Sequence, residues 1–359
     1  MQVSKQEISL DKINFESLKS LVKSFAKAKV LVLGDVILDE YLRGTPERIS
    51  REAPVIILQY INSRYALGGA ANAAHNLAAL EAKTSLMGIT GKDEIAKTFK
   101  NECESKNIEA IILEDESRPT TLKTRVVSSS SSDPDAGTVL KQQVLRIDRQ
   151  SKASLSEELS LAIIEKLEKN IDSFDIILLS DYASGVLSEE NSKKIIEIAN
   201  KKSKKVIVDS NGNFQKYRGS YCLTPNQPDV EATLGRKLKS EEDLFAAGKD
   251  LLELVQAEQI LVTRGAKGMA LFSKTESMIN VDLIPAFNIA EVFDVSGAGD
   301  TVSACFSLAL ALGASNLEAA LLGNIAASIV VRKYGTAVTN CEELLDELGL
   351  LSKKLATIS

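Results

Sequence analysis

The sequence predicts an α/β fold: a doubly wound, mainly parallel sheet flanked by helices, with a small β-flap added. Three observations predict it. Short runs rich in Val, Ile and Leu alternate with longer helical stretches, the pattern of βαβ units. The composition over 359 residues is 44% hydrophobic and 26% charged, with only 5% aromatic residues, which is ordinary for a globular protein. Two stretches, Tyr41–Leu67 and Thr120–Asp148, break the alternation with β-rich runs.

In order, Val30–Leu33 is an apolar strand candidate that stops at Gly34. Tyr41–Leu67 carries the β-rich run Val55–Tyr60 without a helical partner. Ala70–Leu80, built from small residues, reads as a packed helix; Thr84–Met87 reads as a strand and Glu94–Lys106 as a helix. Within Thr120–Asp148, the strand-like runs Leu122–Val127 and Val139–Ile147 flank Ser128–Gly137. That Ser-rich decapeptide, with its Pro and Gly, predicts a mobile hairpin tip. Asp175–Leu179 (strand), Glu189–Lys201 (helix) and Lys205–Asp209 (strand) follow. Glu241–Val255 (helix) and Gln259–Thr263 (strand) come next, then helices over Ala298–Leu312 and Leu317–Val331. No repeat or long linker is visible, so one domain over residues 1–359 is expected, with a lid formed by about 42–67 and 120–148. A flap inserted in such a body can exclude water from a reaction.

Charge and scarce residues exclude much chemistry. Lys plus Arg number 43 against 49 Asp plus Glu, a net charge of −6. A broad nucleic-acid surface would need a basic face. No apolar run approaches the length of a membrane helix, and Met1–Leu10 has no signal-like apolar core. A soluble, cytoplasmic protein without nucleic-acid or membrane partners is expected. The single histidine, His75, would have to carry any Ser-His-Asp arrangement alone; helix packing explains it better. Cys103, Cys222, Cys305 and Cys341 lie far apart in the chain, which disfavours a zinc site or a disulfide framework.

The chemistry concentrates in Asp294–Thr301, D-V-S-G-A-G-D-T, ahead of a small and apolar helical run. Gly297 and Gly299 permit a tight turn just before the helix. The first N–H groups of a helix have no internal partner and mark the positive end of its dipole, so an anion fits there. Asp300, in the first turn, can take a proton from an attacking hydroxyl. Phosphoryl transfer needs those two features together. Val302 breaks the dinucleotide fingerprint G-x-G-x-x-G, and both Gly-Lys pairs, Gly91-Lys92 and Gly248-Lys249, are followed by Asp, so neither is a P-loop.

Taken together, these segments resemble the ribokinase-like sugar kinases of the PfkB family, over nearly the whole chain. Gly68-Gly69-Ala70-Ala71-Asn72-Ala73-Ala74 is similar to the family's early glycine-rich signature, and Gly88-Ile89-Thr90-Gly91-Lys92-Asp93 to its G-x-x-G-x-D segment. Asp294–Asp300 resembles its second signature, with Val295 in place of Thr. Within the family, the resemblance is greatest to heptose 7-phosphate kinases. It is carried by Gly34–Tyr41, Arg48-Ile49-Ser50, Glu52–Val55, Gln142–Asp148, Leu223–Asn226 and Val262-Thr263-Arg264. Such enzymes phosphorylate the anomeric hydroxyl of D-glycero-D-manno-heptose 7-phosphate with ATP, in lipopolysaccharide precursor synthesis. Many are fused to an adenylyltransferase with an H-x-G-H motif; with His75 alone, that second activity is not expected here.

The resemblance implies Asp300 as catalytic base and Gly297, Ala298 and Gly299 as anion hole. It implies sugar contacts from Asp35, Asp39, Gly68, Gly69 and Asn72, with Arg48, Arg51, Lys123 and Arg125 on the lid as candidates to grip a sugar phosphate. Asn226, Thr263, Gly265, Gly268 and Asn324 match nucleotide-binding positions. Asp229 or Glu231 would orient hydrated Mg²⁺, and Asp294, with Lys333–Thr336, falls where many relatives bind a monovalent cation such as K⁺. A homodimer through the flaps is also implied. Two departures stand out: Ser184 and Asn211 replace lysines usual in heptose kinases. They keep open a kinase for another sugar or sugar phosphate; a binding protein without turnover is the remaining alternative.

Overall fold

A computed structural model describes residues 2–9, 11, 13–133, 138–275, 277–287 and 293–356. Along the chain come β1 (Gln2–Glu7), α1 (Phe15–Lys23), β2 (Lys29–Gly34), β3 (Val36–Ile49), β4 (Ile56–Gly69) and α2 (Ala70–Ala79). They are followed by β5 (Lys83–Thr90), α3 (Glu94–Ser105), β6 (Ile108–Glu114), β7 (Leu122–Asp133), β8 (Thr138–Arg149) and α4 (Glu157–Asn170). Next are β9 (Ile176–Asp181), α5 (Glu189–Lys201), β10 (Lys205–Ser210), β11 (Cys222–Leu223), α6 (Gln227–Leu234) and α7 (Glu241–Val255). The last are β12 (Gln259–Thr263), β13 (Met269–Lys274), β14 (Met278–Ile284), α8 (Ala298–Ala311), α9 (Asn316–Val330) and α10 (Cys341–Ala356).

Among the described residues, ten strands form one sheet in the order β1-β14-β13-β12-β11-β10-β9-β2-β5-β6. Only β12–β13 and β13–β14 pair antiparallel within it. Both of its faces are covered, which is why its strands read as continuous apolar runs rather than alternating ones. Val30 and Val32 of β2 pack with α2, α8 and α9, whereas Leu31 and Leu33 pack against α4, α5 and α7 on the other face. Ser and Asp caps start many of these helices: Asp93 accepts from the Ala96 N–H, and Ser240 and Ser315 form capping boxes.

A second sheet of four strands, β4-β3-β7-β8, is the flap. Its strands are longer than the sequence suggests. β3 leaves the main sheet one residue after β2, at Val36, and β4 runs unbroken into α2. Ser128–Asp133 continues β7 as strand, so most of the expected serine tip is ladder rather than turn; residues 134–137 lie outside the described residues. The chain's local signals did not mark β1, β3, β6, β11, β13, β14, α1, α4, α6 or α10. No helix is long and apolar enough to cross a membrane among the described residues.

Candidate active site

Helix α8 begins where the backbone is forced into an unusual turn. Gly297 has φ of 78°, a left-handed conformation, and a Cβ there would lie 2.8 Å from Asn72 Nδ2. Glycine is required at this position on both counts. The Ala298 N–H is engaged by the Val295 carbonyl at 3.2 Å. Among the described residues, no such backbone bond is made by the N–H groups of Gly299 and Asp300, so these are the free donors of the helix start. Of the three anion-hole residues the sequence singles out, Ala298 therefore contributes least through its N–H.

Asp300 sits buried in that first turn. Asn72 Nδ2 donates to one of its carboxylate oxygens at 2.6 Å and the Tyr182 hydroxyl to the other at 3.0 Å. Burial pushes its pKa up to about 6, against the pull of those two hydrogen bonds. Asn72 comes from α2, which is locked to α8 by the Thr301 hydroxyl donating to Asn76 Oδ1 at 2.8 Å. The Asp300 carboxylate is thus held from two elements that the sequence places far apart.

Two cavities meet at this helix start. The smaller, about 130 Å³, is lined by Asp39, Gly68, Gly69, Asn72, Gly297 and Asp300, together with Lys123, Arg125 and Tyr182. Asn72 Oδ1 is buried without a protein partner, which leaves an acceptor for a ligand hydroxyl. The larger, about 360 Å³, is lined by Thr263, Gly265, Gly268, Ala298, Gly299 and Asn324, with an apolar wall from Met269, Phe287, Val302 and Val331. Gly297 and Asp300 face the first cavity while Ala298 and Gly299 face the second. A group passing from one to the other crosses the helix N-terminus.

The flap furnishes the small cavity's charge. Asp39 lies inside β3 and accepts from Arg125 Nη2 at 3.0 Å. Burial raises its pKa, and Arg125 and Lys123 oppose the rise. Gly68 is opposite Ile37, and a Cβ there would fall 2.7 Å from Asp39 Oδ2. Gly69 has φ of 57°, and a Cβ would fall 2.5 Å from the Asp35 carbonyl.

Several expected site residues have other work. Asp35 does not line either cavity: its carboxylate accepts the N–H groups of Tyr182, Ser184 and Val186 at 2.9, 2.9 and 3.2 Å, and so shapes the loop after β9. Arg48 stands exposed near the far end of β3, away from both cavities. Glu231 is held by Gln227, Lys237 and the Leu238 N–H, which keep its pKa down at about 2. It ties the end of α6 to the following loop. Asn226 caps α6 by accepting from the Asp229 N–H at 2.8 Å and bridges Thr263 of β12. Asp229 keeps a half-buried carboxylate whose pKa burial raises. Asp294 accepts from the N–H groups of Ser296 and Gly335 at 2.9 and 3.0 Å, tying the turn before α8 to the chain after α9.

Sequence reasoning missed two residues. Tyr182 touches Asp300, and its signals were its place just beyond the carboxyl end of an apolar strand and its position two residues before the Ser184 departure. Asp209, at the corresponding end of β10, has its pKa pushed by burial up to about 7 and accepts from the Ser303 hydroxyl at 3.1 Å. His75 is mostly buried on α2, and burial lowers its pKa to about 4. At the two departures, Ser184 is buried in the loop that Asp35 organises, and Asn211 is exposed.

The model of the pfkB family of carbohydrate kinases matches residues 27–343. The chain is 40% identical over 329 residues to the bifunctional protein HldE of Desulfatibacillum aliphaticivorans, covering 91% of the chain and 64% of that protein. It is 37% identical over 336 residues to the bifunctional protein HldE of Geobacter sulfurreducens, covering 93% of the chain and 66% of that protein. The chain therefore spans just under two thirds of the length of these curated relatives. Among solved structures, phosphofructokinase-2 from Escherichia coli in complex with potassium superposes with a TM-score of 0.70 at 20% identity, over 90% of this chain and 99% of that one. Ribokinase of Arabidopsis thaliana, complexed with ribose and ATP, superposes with a TM-score of 0.66 at 21% identity, over 89% of this chain and 98% of that one. These two likenesses show the ribokinase-like fold.

Proposed function

This chain belongs to the pfkB family of carbohydrate kinases and is a phosphotransferase acting on an alcohol group; from that premise we propose that its acceptor is D-glycero-D-manno-heptose 7-phosphate, phosphorylated by ATP at the anomeric hydroxyl to give the 1,7-bisphosphate. The observation that carries the reading is Asp300 at the meeting of two cavities, with free helix N–H groups beside it. The relatives named HldE support the heptose acceptor, as do the segments resembling heptose 7-phosphate kinases.

In this reading the sugar lies in the small cavity and the adenosine against the apolar wall of the large one. Asp300 takes the proton of the anomeric hydroxyl as the oxygen attacks. Tyr182 and Asn72 hold its carboxylate in line and keep enough of it ionised near neutral pH. The Gly299 and Asp300 N–H groups meet the charge developing on the transferring phosphoryl group. Asn72 Oδ1 and Asp39 orient the sugar hydroxyls, and the flap brings Lys123 and Arg125 over the acceptor as a lid.

The family implies Mg²⁺ with the ATP. Among the described residues no group of three or more acidic, His or Cys side chains gathers as a metal cage. That fits Mg²⁺, which keeps most of its waters and binds through one or two carboxylates and the phosphates. Asp229, and not the engaged Glu231, would hold it, and the ion would neutralise phosphate charge. The exposed apolar side chains of the flap, Ile56, Tyr60, Leu145 and Ile147 among them, support a homodimer formed flap to flap.

The test is ADP release with Mg·ATP over heptose 7-phosphate, fructose 6-phosphate, ribose, fructose and adenosine, with Asp300→Asn as control. Turnover on the heptose alone, lost in the control, is expected. Turnover on another acceptor alone would replace the heptose and favour the second reading, a kinase for a different sugar, which the altered Ser184 and Asn211 positions motivate.

A further inference from the structure

The flap carries another cavity, of about 270 Å³, that no role above uses. Strand geometry explains where it lies. Side chains alternate between faces along a strand, so Ile37, Asp39, Tyr41 and Arg43 of β3 share one face. The first two line the acceptor cavity, and the second two line this one. Tyr41 stands opposite Arg64 of β4 on one side and Arg125 of β7 on the other. The two cavities are therefore successive rows of one sheet face, about 7 Å apart at about 3.3 Å per residue. Arg125 joins them: it binds Asp39 at 3.0 Å, and its guanidinium carbon lies 5.9 Å from the centre of the Tyr41 ring.

The lining of this cavity is cationic. The Arg64 guanidinium stacks over the Tyr41 ring at 4.7 Å, which fixes its plane. Among the described residues, the Arg43 side chain donates only to the Ser129 hydroxyl, at 3.4 Å. Among the described residues, every ion pair made by an arginine belongs to a different one, Arg118, Arg125, Arg146, Arg236 or Arg332. Two guanidinium groups lining one cavity, with no carboxylate partner among the described residues, suit a dianionic phosphate monoester, whose oxygens match their forked donors. This cavity lies in the next row of the sheet face beyond the one that Asp300 lines, on the side away from the main sheet.

We propose that Arg43 and Arg64 hold the phosphate that the acceptor already carries, and thereby select phosphorylated over free sugars. This rests on the reading of the acceptor as a sugar phosphate. The test compares kcat/KM for heptose 7-phosphate and for the unphosphorylated heptose, at saturating Mg·ATP, in the native protein and in Arg43→Gln, Arg64→Gln and the double variant. The native protein is expected to prefer the phosphorylated sugar. Each single variant should lose at least tenfold of that preference through KM, the double variant more, with KM for ATP as the check on folding. Arg64→Lys keeps the charge without the fork, so a loss of at least threefold is expected from it even where the Gln variant does not fold. Variants that retain the full preference would overturn this inference alone. A native protein without any preference would overturn the sugar-phosphate reading along with it.

Discussion

At the scale of single residues, Asp300 as the proposed base should set both the rate and its pH dependence. A base with a pKa of about 6 must lose its proton to act, so kcat/KM should climb as pH rises through about 6 and level off above it. Asp300→Asn should lower kcat by roughly 10²–10⁴-fold while ATP still binds, as steady-state kinetics and nucleotide titration would show. Removing the Tyr182 hydrogen bond removes one of the contacts that hold the pKa down, so the rising limb of Tyr182→Phe should move to higher pH. A limb that stays in place would mean that the hydroxyl does not tune the base. Stability has the opposite sign. Folding raises this pKa from 3.8 to about 6, so the stability it contributes is present below about pH 4 and lost as pH rises through about 6. Above pH 7, Asp300→Asn, which cannot ionise, should melt no lower than the native protein.

At the scale of elements, glycines and carboxylates set how strands and helices meet the site. Gly68 lets β4 pass within contact of Asp39, and Gly69 turns the chain from β4 into α2 with a positive φ. Gly69→Ala should cost on the order of 1–3 kcal/mol, read from urea unfolding, because its Cβ would strike the Asp35 backbone and strain the turn. Gly68→Ala meets a side-chain oxygen instead, so its effect should fall mainly on acceptor KM. Around α6 the two carboxylates should separate by role. Asp229→Asn should raise the Mg²⁺ concentration needed for half-maximal rate, whereas Glu231→Gln should loosen the loop at Lys237-Leu238 and leave that requirement nearly unchanged. Equal Mg²⁺ shifts in both variants would contradict the assignment.

At the scale of the whole molecule, the main sheet is a scaffold buried on both faces, and the flap is a separate sheet with exposed apolar residues. If the flaps pair, Leu145→Glu should shift the protein toward monomer in sedimentation velocity and raise acceptor KM more than ATP KM. A monomer in the native protein would remove the pairing but not the flap's part in the acceptor cavity, since Asp39, Lys123 and Arg125 of one chain already line it.

The sequence by itself determined the sheet-and-helix alternation, because each buried central strand is a contiguous apolar run and the helices between them are longer, either amphipathic or, as in α8, small and apolar throughout. It also determined the turn at Asp294–Asp300, where the left-handed backbone at position 297 selects glycine; Gly299 lies within α8, with no such demand. The central strands and the helices Glu189–Lys201 and Glu241–Val255 were legible for that reason. The terminal elements β1 and α10 were not, since partners far along the chain complete them; nor were β13 and β14, neighbouring antiparallel strands inside the sheet. The tertiary structure alone decided what each carboxylate does. Asp35, Glu231 and Asp294 look like ligands in one dimension, yet their oxygens are filled by backbone N–H groups or nearby side chains once the chain folds. Tyr182 and Asn72, distant in sequence, became the partners of Asp300. Hydrogen bonds and burial depend on three-dimensional neighbours, so the same residue type ends as a base, a loop tie or a cap according to what surrounds it.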